Sequence, residues 1–194
     1  MLKKRLAILW LSITALLGTA TAQTVGIKTN LIPDGFLSPN LGVEIGLAKK
    51  WSLDLTGELC LWDVNNHKWK HWLAQPEARL WLCDRFAGHF FGLHGIVGQF
   101  NFGNIHNNTN FLGSDFSQLS DYRFQGTAAG AGIAYGYAWI LGKHWNLEAE
   151  IGIGWIHAWF DKYSCMDCGK KLASDLEHNY FGPTKLAINI EYIF

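Results

Sequence analysis

The feature that most constrains this chain is an alternation of apolar and polar side chains with period two, repeated segment after segment. Leu41, Val43, Ile45 and Leu47 share one parity, and Gly42, Glu44 and Gly46 the other. Trp51, Leu53, Leu55, Leu59 and Leu61 alternate with Ser52, Asp54, Thr56 and Glu58. Likewise Trp145, Leu147, Ala149, Ile151, Ile153 and Trp155 alternate with Asn146, Glu148, Glu150, Gly152 and Gly154. A helix of 3.6 residues per turn would mix the two sets, whereas a strand gives each its own face. No apolar run approaches the ~18 residues of a spanning helix. Segments of about ten alternating residues separated by turns are instead the pattern of a transmembrane β-barrel, in which lipid-facing and lumen-facing residues alternate.

Eight such segments lie near residues 24–31, 40–48, 51–64, 72–82, 89–102, 123–140, 145–160 and 180–194. An even count is what single-chain bacterial barrels have. The connections at Lys49-Lys50, Cys83 to Gly88 and Leu141 to His144 are short, whereas 32–39, 65–71, 103–122 and 161–179 are longer and carry Asn, Asp, Ser and Gly. Short turns face the periplasm and long loops the exterior. The order is self-consistent with both termini at the periplasmic end. The expected fold is therefore all-β: a closed eight-stranded antiparallel transmembrane β-barrel of the small outer-membrane type.

The amino terminus reads as a targeting segment. Lys3, Lys4 and Arg5 precede an apolar run from Leu6 to Leu17, and Ala20-Thr21-Ala22 supplies the small residues of a cleavage site. Residues 1–22 are expected to be a cleaved signal peptide and 23–194 the barrel domain. The formal charge of zero, from 16 basic and 16 acidic residues, becomes −3 once those three cations are removed. With no basic stripe, nucleic-acid binding is not expected.

Ten tryptophans and 21 glycines are odd for a soluble enzyme but suit a barrel. Trp51, Trp145, Tyr192 and Phe194 fall near the periplasmic rim, and Trp62, Trp69, Trp72, Trp155 and Trp159 toward the other end. Two aromatic girdles are what membrane interfaces favour. The alternative use of Trp62, Trp69 and Trp72 is a sugar-binding groove. In the sixth segment Gly126, Gly130, Gly132 and Gly136 share a parity with Ala128 and Ala134, opposite Ile133, Tyr135, Tyr137 and Trp139. Small residues inside fit a lumen just wide enough to be filled by side chains. In the last segment Leu186, Ile188, Ile190, Tyr192 and Phe194 alternate and end on an aromatic residue, resembling the carboxy-terminal signal read by the barrel-assembly machinery.

The inward polar set is Lys28, Glu44, Asp54, Glu58, Glu77, Arg79, Glu148, Glu150, Lys185 and Glu191, expected to pack as a hydrogen-bonded ionic core. Seven acids against three cations should keep some carboxyls protonated or wetted. A catalytic carboxylate pair is not expected, since no substrate cavity suits this strand number; a narrow cation path past Glu44, Glu58 and Glu148 stays open as an alternative. Pro76 lacks an amide hydrogen inside the fourth segment, which predicts a bulge there. In the fifth, Phe91, Leu93 and Val97 share parity with Gln99 and Asn101, so the outward face is expected to switch partway.

Four cysteines remain. Cys165-x-x-Cys168, followed by Gly169, Lys170 and Lys171, reads as a local disulfide, a pair of loop thiols or a weak metal site; two ligands fall short of the four that zinc takes. Cys60 could reach that loop and Cys83 could not. No GxSxG elbow, P-loop, HExxH or dinucleotide fingerprint occurs. Ser38, Ser164 and His157 are the only residues placed for an outer-leaflet lipid-modifying site, and no catalytic residue, metal or cofactor is assigned.

The stretches NLGVEIGLAKKWSLDL (40–55), KWKHWLAQPEARLWLCDRFAGHFFGLHG (68–95), QGTAAGAGIAYGYAWILGKHWNLEAEIGIG (125–154) and NYFGPTKLAI (179–188), with the Cys165-x-x-Cys168-Gly-Lys-Lys loop, resemble the family known as domain of unknown function 3575. The resemblance covers nearly the whole chain after the leader. It implies an exported outer-membrane barrel of Gram-negative anaerobes, some members being encoded near fimbrial or surface-structure genes, and brings no catalytic residues. The stretch Asn107, Asn108, Thr109, Asn110, Phe111 in the third long loop has no counterpart in it. The expected function is a monomeric outer-membrane protein of structural or surface-interaction role, without catalysis. Its expected partners are outer-membrane lipid, the assembly machinery, and a surface polymer or fimbrial component. A lipid-modifying barrel enzyme and a narrow cation channel are the alternatives.

Overall fold

Residues that alternate apolar and polar gain most when one face is dry and the other is not, and the backbone answers with long strands. The computed structural model describes residues 25–64, 67–105, 110–111, 114–115, 120–164 and 169–194; the expected leader and the Cys165 and Cys168 pair lie outside them. Eight long strands are β1 (Val25–Asn30), β2 (Asn40–Ala48), β3 (Trp51–Cys60), β4 (His67–Trp81), β5 (Gly88–Gly103), β6 (Arg123–Ile140), β7 (Trp145–Tyr163) and β8 (Lys171–Ile193). Each pairs antiparallel with its sequence neighbours. β1 also pairs with β8, from Gly26 opposite Ile193 to Asn30 opposite Asn189, which closes the eight into a ring. Closure leaves none of these strands with an unpaired edge. No helix among the described residues is long and apolar enough to cross a membrane.

Val25, the first described residue, and Phe194 lie at one end, where Phe194 N donates to Val25 O. The short turns at 49–50, 82–87 and 141–144 share this terminal end. At the far end β1 runs into a short helix, α1 (Leu31–Gly35), whose first turn is capped by the Asn30 side chain accepting from Ile32 N. Small ladders pair Asp63–Val64 with β4 and Asn110–Phe111 with Ser114–Asp115. The third long connection thus holds a little ordered structure, and Asn107, Asn108 and Thr109 lie outside the described residues.

Burial follows parity, and its sense is reversed from that of a protein folded around an oily core. Lys28, Glu44, Asp54, Glu77, Arg79, Glu148, Glu150, Lys185 and Glu191 are buried, whereas Leu41, Leu53, Leu93, Ile133, Ile151 and Leu186 are exposed. In β5, Phe90, Gly92, His94, Ile96 and Gly98 face in while Phe91, Leu93, Val97 and Gln99 face out. The expected switch of face does not occur: exposed Gln99 accepts from Trp72 Nε1 at 3.0 Å on the outer side, so a polar side chain there has a partner without turning inward.

The bulge expected at Pro76 is also absent. Pairing with β3 runs in one register through Leu55 opposite Pro76, and pairing with β5 resumes in register after omitting Gln75 and Pro76. Proline here removes a rung without adding a residue. A bulge lies instead at Pro183–Lys185, where the β7 register shifts between Gly152 and Ile153. The extra residue, Thr184, meets His94 Nε2 through its hydroxyl at 2.9 Å and accepts from Gln75 through its carbonyl at 3.3 Å. The bulge thus supplies inward contacts from both Thr184 and its neighbour Lys185.

Candidate functional site

The interior is built in three tiers. At the terminal end the 82–87 turn folds under the ring and seats Phe86 beside Trp81, with Phe90 on the other side; ring centroids are 6.0 and 4.6 Å from Trp81. Gly136 makes this possible: a Cβ there would stand 2.3 Å from Phe90 Cζ.

Above this base lies the ionic tier. Arg79 from β4 is wholly buried, and its guanidinium donates from Nε to Glu77 at 2.6 Å, from Nη1 to Glu44 and Glu148 at 2.7 and 2.8 Å, and from Nη2 to Glu150 at 2.7 Å. Asp54 lies 3.2 Å from Nη2. Lys28 reaches Glu44 at 2.5 Å and Asp54 at 3.2 Å, and Lys185 reaches Glu77 at 2.6 Å and Glu150 at 3.1 Å. The Arg79 guanidinium also lies 4.5 Å from the Phe90 ring centroid, joining the two tiers. Buried charges survive only when paired and hydrogen-bonded, and carboxylates from four strands, β2, β3, β4 and β7, converge on one guanidinium to do it. Ser52, His94, Asn146 and Asn189 are buried here too. Ser52, Asn146 and Asn189 share the parity of the charged residues in their own strands, which is the signal that could have placed them in the interior set; the strand of His94 carries no charged residue and gives no such signal.

Nine of the ten expected inward residues meet in this tier. Glu58 does not. It sits nearer the far end, where it bonds His71 Nε2 at 2.9 Å, because parity fixes the face of a strand residue but not its height. Glu191, by contrast, is fully buried yet neither of its carboxylate oxygens has a hydrogen-bond partner.

The third tier is aromatic. Trp69 stacks on Phe102 at 4.5 Å, Phe102 on Phe100 at 5.3 Å, and Phe160 lies 6.5 Å from Phe100 and 5.6 Å from Phe124. Trp69, expected among the outer aromatics, is on the inward parity of β4 with His71. Trp72, Trp155 and Trp159 are exposed at the same end, and Trp51, Trp145 and Phe194 at the other; Tyr192 packs between Trp145 and Phe194, 5.0 Å from each. Leu186 and Ile188 of the last strand are exposed, continuing toward Phe194, and Ile190 lies on their parity.

On the outer face at the far end, the paired row Lys70, Asn101, Gln125 and Asp161 is polar throughout. With Trp72 and Gln99 it lines a groove of about 380 Å³. Asp161 accepts from Lys171 Nζ at 2.6 Å and from Asp175 N at 3.3 Å. The lysine hydrogen bond holds the Asp161 carboxyl below its ordinary pKa, and the same bond raises Lys171.

Ser38 is buried in the first connection, Ser164 N donates to Lys170 O, and His157 meets Asn179 at 2.8 Å and packs on Trp159 at 4.3 Å. Cys60 is a buried free thiol directed at Trp62 O, and Cys83 is free and exposed.

No curated protein and no solved structure matches the chain. A family model does: over residues 7–194 the chain matches the family described as Protein of unknown function (DUF3575), and it belongs to that family.

Proposed function

We propose that this protein is an integral β-barrel of the Gram-negative outer membrane, with a structural or surface-interaction role and no catalysis. The observation that carries the reading is the reversed polarity of the ring, with exposed leucine, isoleucine and phenylalanine around charges that are almost completely buried. Exposed apolar surface on that scale needs a covering, and a hydrocarbon layer also demands closed hydrogen bonding of the kind a ring supplies. The aromatic residues clustered toward both ends suit headgroup depth. Arg79 clamps Glu44 and Glu148 from a single nitrogen, which favours a plug over a cation path. Interaction with a surface polymer is favoured by the groove of Trp72, Gln99, Asn101 and Gln125, an aromatic plane beside amides being suited to a saccharide.

The test is electrophoresis of the outer-membrane fraction with and without boiling. A folded barrel should migrate differently in the unheated lane, and the protein in planar bilayers should give no conductance steps. A soluble periplasmic product with no heat-dependent shift would overturn the architecture, and regular conductance steps would replace the plug with a channel.

A further inference from the structure

The ionic tier does not balance. Six buried carboxylates, Glu44, Asp54, Glu77, Glu148, Glu150 and Glu191, face three buried cations, Lys28, Arg79 and Lys185. The surplus gathers at one place. Glu44, Glu148 and Glu191 each bring a carboxylate oxygen to within 4.8 Å of the others. Glu44 is already bonded by Lys28, Arg79 and Ser52, and Glu148 by Arg79 and Asn189. Glu191 brings two oxygens with no donor at all. Its position is made by Gly26, where a Cβ would lie 2.1 Å from Glu191 Oε1, so β1 gives up a side chain to let this carboxylate turn in toward the other two.

We propose that Glu44, Glu148 and Glu191 form an interior site for one hard divalent cation of calcium size. Oxygen-only donors select hard ions, and calcium–oxygen distances of about 2.3–2.6 Å let ligand oxygens stand up to about 5 Å apart across the ion, whereas magnesium, at about 2.0–2.1 Å, needs a tighter set. A single proton on Glu191 would answer one of the three surplus charges and leave its second oxygen without a donor. One divalent ion answers two and draws on all three carboxylates. The site lies between β1, β2, β7 and β8, so the ion would fasten the seam where the first and last strands close the ring. The inference concerns the interior alone and does not need the membrane reading.

The test is refolding of the purified protein from urea, in detergent micelles, with Ca²⁺ or with EGTA, followed by metal analysis after buffer exchange. One Ca²⁺ should remain per chain, and refolding in EGTA should lower the urea midpoint. Tb³⁺ refolded in place of Ca²⁺ should luminesce on tryptophan excitation, because Trp81 Nε1 bonds Ser52 Oγ at 2.8 Å and that hydroxyl in turn bonds Glu44. Glu191→Gln should lower retention of either ion at least about tenfold, and Glu58→Gln, outside the cluster, should leave it unchanged. Wild-type protein that folds equally well in EGTA and retains no ion overturns the proposal. So does Tb³⁺ emission that survives Glu191→Gln. Should Glu191→Gln fail to fold, the wild-type comparison in Ca²⁺ and EGTA decides alone. A failed heat shift with intact ion retention would reject the membrane reading and leave this one standing.

Discussion

A guanidinium has five N–H donors and no acceptor, and Arg79 spends its own on four different glutamates. Removing it leaves Glu44, Glu77, Glu148 and Glu150 buried without their shared cation. Breaking a buried ion pair by deleting one partner typically costs about 3–5 kcal/mol, so Arg79→Met should lower stability by at least that much, read as the urea midpoint in detergent micelles. Arg79→Lys should rescue only a fraction, since an ammonium is a point charge and cannot reproduce the planar fork. A midpoint unchanged by either substitution would mean that the tier is held by something other than this residue. Gly136→Ala should cost about 1–3 kcal/mol through overpacking against Phe90. At this scale parity alone picks out the inward charged set, because a residue's face is a local property. It cannot foresee that Glu58 stands apart or that Glu191 lacks a donor, because height and pairing depend on the register of strands distant in sequence.

Elements were legible where they are two-faced. β6 spans the expected 123–140, and β2 the expected 40–48. β8 begins at Lys171 rather than near 180, and β4 at His67 rather than 72, because the added turns of strand carry polar residues on both faces: Ser174, Asp175, Glu177 and His178 show no alternation to read, yet the β7 ladder continues beside them. Two register shifts near Phe160 and Lys162, and Asp175 at φ +57°, mark how irregular this extension is. Its tie is the Lys171–Asp161 pair, and the pKa directions there set a pH window. Asp161 is depressed, so its contribution is present above the ordinary carboxylate range and is lost as pH falls through the lowered value; Lys171 is raised, so its contribution is present below the ordinary lysine range and is lost as pH rises through the elevated value. Amide exchange at residues 171–176 should therefore be slowest, relative to the intrinsic rate, across the neutral plateau. Protection should fall on acidification and with added salt, and Asp161→Asn should remove that pH dependence. Protection that stays flat into acid in the wild type would assign the order of this hairpin to its backbone ladder alone. The misplaced bulge has the same lesson: a proline at a position whose rung can be dropped leaves the register alone, and only pairing distinguishes Pro76 from Pro183.

For the molecule as a whole, alternation predicts a ring because strands with one oily face and one charged face can bury the charges only by closing on themselves; the sequence does not show the aromatic far tier, where β5 turns Phe100 and Phe102 inward beside an outer Gln99 and Asn101, and β7 carries rings on both faces. What the outer face touches is the question that decides the proposed function, and it can be put to one row of residues. Leu93, Ile133 and Ile153 are paired neighbours on β5, β6 and β7, all exposed, in the middle of the apolar band, and Thr127 lies on the same face six residues toward the polar far end. If the band sits in hydrocarbon, Ile133→Arg places a charge near the midplane and should cost about 2–4 kcal/mol, while Thr127→Arg, near the interface, should cost about 0–1 kcal/mol. If the band is covered by water, neither surface substitution should move stability by more than about 0.5 kcal/mol. Unfolding of both variants from lipid vesicles, compared with wild type, gives the two numbers. A steep difference between the positions measures a depth gradient that only a layered environment produces. Equal losses at both would point to a protein partner over the whole face, and in that case the oily surface would be an interface and the ring a subunit.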